Sequence, residues 1–209
     1  MRPLITLLCA LPLAAPAAQA QDVCSSITSL TVGQWAEYNV TVPEMGNQPF
    51  QVRMAIIGEE PKEGTPHYWY EMKMAAPQGN MIIQALVPGW PYEPAQIAGM
   101  VMKSGDQPAM RMSDQMIGMM ASQAQKSPGE RVIEDCENAE QMGTESITVP
   151  AGTFDALHIR STADGKTDVW VSADVPFGMI RMESAEGQME LTGHGGGATS
   201  SITETPRGM

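Results

Sequence analysis

The residues best suited to chemistry in this chain are its methionines. There are 18 of them against 3 phenylalanines, and seven fall between Met100 and Met120. Three pairs have M-x-M spacing: Met72/Met74, Met100/Met102 and Met110/Met112. In a strand, that spacing puts both thioethers on one face. Thioethers are soft donors that select Cu(I) over harder ions. The same spacing also lines a face with flexible, polarisable side chains, which suits a cavity for variable apolar ligands. Apolar lining is the preferred reading. A Cu(I) site on the three pairs is the alternative.

The other reactive groups are scattered. His67, His158 and His194 have neither H-x-H nor H-x-x-x-H spacing, so no metal site is expected from them. His158 alternates with Phe154 and Ala156, which points it to an inner strand face. Asp168 alternates with Trp170, and Glu183 follows Arg181 by two, as ordinary cross-strand partners do. No G-x-S-x-G or S-x-x-K nucleophile motif occurs. The Gly193–Gly197 run is followed by no helix start and does not read as a phosphate loop. The chain is therefore expected to be neither an enzyme nor a cofactor carrier.

An export signal fixes the setting of these groups. Arg2 is followed by a short apolar run, Leu4 to Ala15, and Ala18-Gln19-Ala20 supplies a small-x-small cleavage pattern. The run is too short to span a bilayer. Residues 1–20 read as a signal peptide, and the protein as periplasmic or secreted, without stable membrane insertion. Cleavage removes Cys9 and leaves Cys24 and Cys136. In an oxidising compartment that pair most simply forms one disulfide. The 24 acidic residues outnumber the 12 basic ones, for a net charge of −12. No basic stripe is present, so nucleic acid is excluded as a partner class. Nothing in the sequence sets the oligomeric state.

The elements that position these residues have a period of two. Tyr38/Val40/Val42, Val52/Met54/Ile56, Tyr68/Tyr70/Met72/Met74 and Met81/Ile83/Ala85/Val87 alternate with polar positions, as half-buried antiparallel strands do. Further strands are expected at Met100–Lys103, Ala109–Met112, Ser146–Val149, Phe154–Arg160, Thr167–Ser172, Gly178–Glu183 and Gln188–Thr192. Ser104-Gly105-Asp106, Ala163-Asp164-Gly165-Lys166 and Ala185-Glu186-Gly187 mark tight hairpins. One helix is expected, from Ser113 as N-cap to about Gln125, with Met116, Ile117 and Met120 in one stripe and Pro128-Gly129 as the stop. Pro88 to Pro94 is a proline-rich loop with two aromatics. The tail, 195–209, is expected to be disordered. The fold class is mainly β: one strongly curved antiparallel sheet, a half-open barrel of about ten or eleven strands over 21–194, covered by one short helix.

Three motifs carry a resemblance. Gly33-Gln34-Trp35-Ala36-Glu37-Tyr38, Val149-Pro150-Ala151-Gly152-Thr153-Phe154, and Val169-Trp170-Val171-Ser172 leading to Val175-Pro176-Phe177-Gly178 resemble stretches of uncharacterised exported bacterial proteins. Those proteins look like the lipoprotein-carrier superfold of the LolA/LolB kind. The resemblance implies an unclosed curved sheet whose concave face binds acyl chains or other apolar ligands. Read physically, the proline-glycine motifs are tight corners between strands.

The expected function is an exported carrier or binding module for a lipid or acyl chain. Tyr38, Tyr70, Met72, Met74, Met116, Met120 and Trp170 are its cavity candidates, with the helix across the concave side. The alternatives are a methionine-based Cu(I) protein and a filled, non-binding envelope protein with a structural or interaction role.

Overall fold

Two successive meanders build the sheet. The computed structural model describes residues 23–208 apart from 26, 47, 77–78, 124–135, 137 and 162–166. The signal segment, the Ala163–Lys166 turn and the Pro128-Gly129 stop lie largely or wholly outside these residues. In the first meander β1 (Trp35–Thr41), β2 (Phe50–Lys62), β3 (Thr65–Ala76), β4 (Gly79–Val87), β5 (Gly99–Ser104) and β6 (Met110–Arg111) pair in chain order. In the second, β7 (Glu140–Val149), β8 (Gly152–Arg160), β9 (Asp168–Val171), β10 (Met179–Ser184) and β11 (Gly187–Gly195) do the same. A single seam, β1 against β11, joins them. The sheet is open, with twelve strands, because β12 (Arg207–Gly208) returns to pair parallel with β6 at the far edge.

The sheet curls strongly. Three inter-strand spacings separate β8 from β11, about 14 Å in a flat sheet. Yet Ala151 N–H, in the turn before β8, donates to Leu191 O at 3.2 Å. Bulges at Glu37/Tyr38, Ile56/Gly58, Gln141/Gly143 and Met179/Arg181 add local bending and twist. Tyr38, Ile56, Val87, Ile159, Val171, Ile180 and Leu191 are fully buried on the inner side.

The three motifs prove to be fittings of the seam. Trp35 lies over Gly193 and Gly195 and donates its Nε1–H to Gly196 O at 3.2 Å. The glycine run is therefore a seat for an indole. Tyr38 Oη donates to Met179 O across the seam at 3.1 Å. Phe154 packs edge-on to His194, at 5.7 Å between ring centroids. Phe177 and Gly178 take positive φ, 65° and 78°. A Cβ on Gly178 would sit 2.4 Å from Ile27 Cγ2. Ile27 is held there because Cys24 is bonded to Cys136, with Cα atoms 5.7 Å apart.

Three sequence expectations need correction. The helix α1 (Asp114–Gln123) starts as expected, with Ser113 Oγ accepting from Met116 N–H at 3.4 Å. It packs, however, beside the short 3-10 turn Pro94–Gln96 and the end of β5, and only Ile117 is buried. Met116 is half-buried and Met120 is 42% exposed, so the helix does not cover the concave face. Ser113 directly follows Met112, the first residue past β6. A chain leaving that short strand, next to last at this end of the sheet, has only the margin to occupy.

Second, the tail is ordered rather than disordered. It runs over the outer face of β3–β6, where Ile202 joins Ile82, Val101 and Ala109 in a second small core. Glu71, 1% exposed, accepts from Ser201 N–H at 2.9 Å, Ser201 Oγ at 2.7 Å and Gln84 Nε2 at 2.8 Å. Composition gave no hint of this, because polar anchors can hold a tail as well as apolar ones do.

Third, His158 and Trp170 face away from the inner side. Leu157 and Ile159, Val169 and Val171, which alternate with them, are the buried positions.

Candidate functional site

Coil segments rather than the helix fill much of the inner face. The proline-rich loop delivers Trp90 and Tyr92, and the corner before β10 delivers Phe177. With Tyr70 of β3 they form one aromatic cluster. Tyr70 lies 5.3 Å from Trp90, 6.0 Å from Tyr92 and 6.0 Å from Phe177, and Trp90 lies 5.1 Å from Phe177. Prolines at 88, 91 and 94 stiffen the loop that presents the two aromatics. The co-occurrence of stiff loop and aromatics was visible in the sequence, but its direction was not.

Two polar atoms in this cluster have no hydrogen-bond partner: Tyr70 Oη and Trp90 Nε1. Their residues are 4% and 6% exposed. A buried donor without an acceptor costs about 1–3 kcal/mol. Burial pushes the Tyr70 phenol well above its ordinary pKa, with Tyr92 and Tyr38 adding to the effect, so its proton stays on. Tyr38 is buried too, and burial raises its pKa, but its hydroxyl is satisfied by Met179 O.

Beyond the aromatic cluster the same face carries methionines. Register sets Met54, Met72, Ile83, Met102 and Met110 side by side across β2 to β6. The next row holds Val52, Met74 and Met81. Met54 is buried, whereas Met72, Met74, Met81, Ile83, Met102 and Met110 are half-buried. Met100 lies one row nearer the cluster, opposite Ala85, and its carbonyl accepts from Met112 N–H at 3.0 Å. All three M-x-M pairs thus share the inner face, and the pairs of β5 and β6 lie side by side.

Of the cavity candidates, Tyr38, Tyr70, Met72 and Met74 come together on the inner face. Tyr38 and Tyr70 are buried in its filled part. Met116 and Met120 sit apart on α1, and Trp170 belongs to the opposite face. There Trp170 stacks on His158 at 4.4 Å and donates to Glu145 Oε1 at 2.6 Å, with Arg181 over its ring. His158 faces carboxylates at both ring nitrogens, Asp168 at 2.7 Å and Glu145 at 3.2 Å. Partial burial pushes the Asp168 carboxyl up, but hydrogen bonds from His158 and Arg160 outweigh it and hold the group below its ordinary range. His158, Asp168, Arg160, Glu145 and the Trp170 indole thus pair with one another, as in a structural ion-pair cluster. Among the described residues no group of three or more His, Cys, Asp or Glu side chains is placed to hold a metal ion.

Two clefts flank the core. One of about 760 Å3 lies between Val23 and the strands bearing Met142, Leu157 and Val171. Another of about 520 Å3 lies under α1, lined by Ile97, Ile117 and Ala121. No described helix is long and apolar enough to cross a membrane.

No protein-family profile matches the chain, and no curated protein matches it. Solved structures with a similar course do exist. One is a candidate lipoprotein from Parabacteroides distasonis, 12% identical, TM-score 0.38, covering 81% of this chain and 98% of that one. Another is a candidate exported protein with a YmcC-like fold from Bacteroides fragilis, 9% identical, TM-score 0.36, covering 80% and 98%. A third is an uncharacterised conserved protein from Thermus thermophilus, 8% identical, TM-score 0.34, covering 92% and 98%. None of these descriptions assigns an activity.

Proposed function

We propose that this is a non-catalytic, exported binding module that takes an apolar chain on the methionine rows of its inner face, in the manner of lipoprotein carriers. The observation that supports it is the row Met54–Met72–Ile83–Met102–Met110. It continues a filled core yet beyond Met54 stays half-buried, and its methionines repack at modest cost. The signal segment and the Cys24–Cys136 bond both fit an oxidising, extracytoplasmic setting. Native mass spectrometry of protein purified from its own envelope tests the reading. A lipid-sized adduct lost on Met72→Glu is the expected result. Protein that is adduct-free and also fails to bind added lipid would instead support a filled structural or interaction protein.

One observation favours a second reading, Cu(I) binding. Met100, Met102, Met110 and Met112 lie on one face of two adjacent strands. A Met110→Leu/Met112→Leu variant conserves volume and should fold, at a cost below about 1.5 kcal/mol. Stoichiometric Cu(I) uptake that survives a competing chelator, and disappears in that variant, would favour the metal over the lipid.

A further inference from the structure

A ligand with an apolar tail on the methionine rows needs a partner for its polar end. We propose that Tyr70 Oη and Trp90 Nε1 form a donor pair for the acceptor headgroup of an apolar-tailed ligand, a carboxylate or an ester carbonyl, bound when the 88–96 loop lifts. This rests on the inner face being the apolar site.

The placement suits that role. Tyr70 precedes Met72 by two positions on β3, so the donors stand about 7 Å from the methionine row along the strand. A head at Tyr70 would send its tail directly over Met72 and Met102. The indole N–H can only donate, and the phenol keeps its proton, so the pair presents donors to an oxygen acceptor. Native proteins satisfy nearly all buried polar groups, and an exception calls for an explanation. Of four such side-chain atoms among the described residues, two share one ring contact of 5.3 Å, while the neighbouring buried tyrosine, Tyr38, bonds Met179 O.

The loop carries internal ties: Glu93 N–H donates to Gln96 Oε1 at 2.8 Å, and Gln96 N–H to Glu93 O at 2.9 Å. Ala98 N–H pins its base to Leu86 O at 2.8 Å. With the loop seated, Trp90 covers Tyr70 and neither donor is served. A lift that slides Trp90 off the Tyr70 ring but keeps it alongside trades ring contacts for access of an acceptor to both donors.

The test uses Tyr70→Phe and Trp90→Phe, which keep a ring and delete a donor. In the seated state Tyr70→Phe removes an unserved polar atom and opens no cavity, so its melting temperature should rise by about 2–5 °C; Trp90→Phe also shrinks a packed ring and is read on binding alone. Binding is read with diphenylhexatriene, a pure hydrocarbon probe, displaced by dodecanoic acid or by its methyl ester. The ratio of acid or ester affinity to hydrocarbon affinity should fall about tenfold in each variant, the loss of one hydrogen bond. Displacement by the acid alone assigns a carboxylate head; displacement by both assigns the carbonyl; either supports the pair. Diphenylhexatriene binding with unchanged ratios, or a Tyr70→Phe melting temperature below wild type, would overturn the donor pair and leave the apolar site standing. No binding of any of the three would overturn both.

Discussion

Replacing Glu71 by alanine should release the C-terminal tail while leaving the sheet folded. Glu71 is 1% exposed and accepts three hydrogen bonds, two of them from Ser201 of the tail. Hydrogen bonds to a charged acceptor contribute about 1.5–3 kcal/mol each. The freed tail donors regain water once the tail lifts, so the net loss in docking should be near 3 kcal/mol. That is roughly a hundredfold increase in the opening equilibrium. Native-state hydrogen exchange reads it directly at the Ser201 and Ile202 amides, the latter held by Ser200 Oγ at 3.1 Å. Ser201→Ala removes one of the two tail bonds and should give about a tenfold effect. The Lys103–Glu204 contact at 2.5 Å and the β12–β6 pairing remain in both variants, so the far end should stay attached longest. If exchange at Ser201 in Glu71→Ala stays within threefold of wild type, the buried carboxylate is not what holds the tail, and the second core around Ile202 must be.

Other expectations follow from burial and geometry. Ile117→Lys should destabilise by about 2–4 kcal/mol in urea melts, whereas Met120→Lys should fall within about 0.5 kcal/mol of wild type, since only Ile117 is covered. Equal effects would put the helix elsewhere. Gly178→Ala should cost 2 kcal/mol or more, roughly, because its Cβ would meet Ile27 at a positive φ; a neutral result by thermal melt would contradict the packing of the disulfide-held segment. Asp168 has a lowered pKa in the fold, so its contribution is present above its ordinary value of 3.8 and is lost as pH falls below that toward the folded value. Urea midpoints of wild type and Asp168→Asn should therefore differ at pH 6 and converge toward pH 2; a constant gap would refute the linkage.

The strands were legible because one face of each is buried, which writes a period of two into Tyr38/Val40 and Tyr70/Met72/Met74. The disulfide was legible from compartment and cysteine count. What stayed hidden depends on tertiary partners. Trp90 and Tyr92 sit in a loop with no periodicity, and nothing local says that they turn inward. Glu71 reads as a solvent-facing strand residue until Ser201, 130 positions later, is laid against it. His158 was given the wrong face because alternation with Ala156 counted an apolar residue as inner. Ala156 is indeed fully buried, but on the side opposite Leu157 and Ile159. Met120 failed for a related reason: an apolar stripe predicts burial only when something lies beneath it, and α1 stands at the sheet's margin.

The two-meander plan lets the chain be divided in two. Cys24 leads the first meander and Cys136 leads the second, with 112 positions between them. A break in the backbone anywhere between α1 and Cys136 would separate the meanders in sequence but not in substance, because the disulfide already crosses that gap. Each piece would keep its own hairpins, and the β1–β11 seam, the Tyr38–Met179 bond and the returning tail would hold the pieces in register. The protein is thus a candidate two-chain molecule, with its one covalent tie redox-cleavable. Such a nicked form would survive as a single species in an oxidising medium and part into two polypeptides only under reductant and denaturant together.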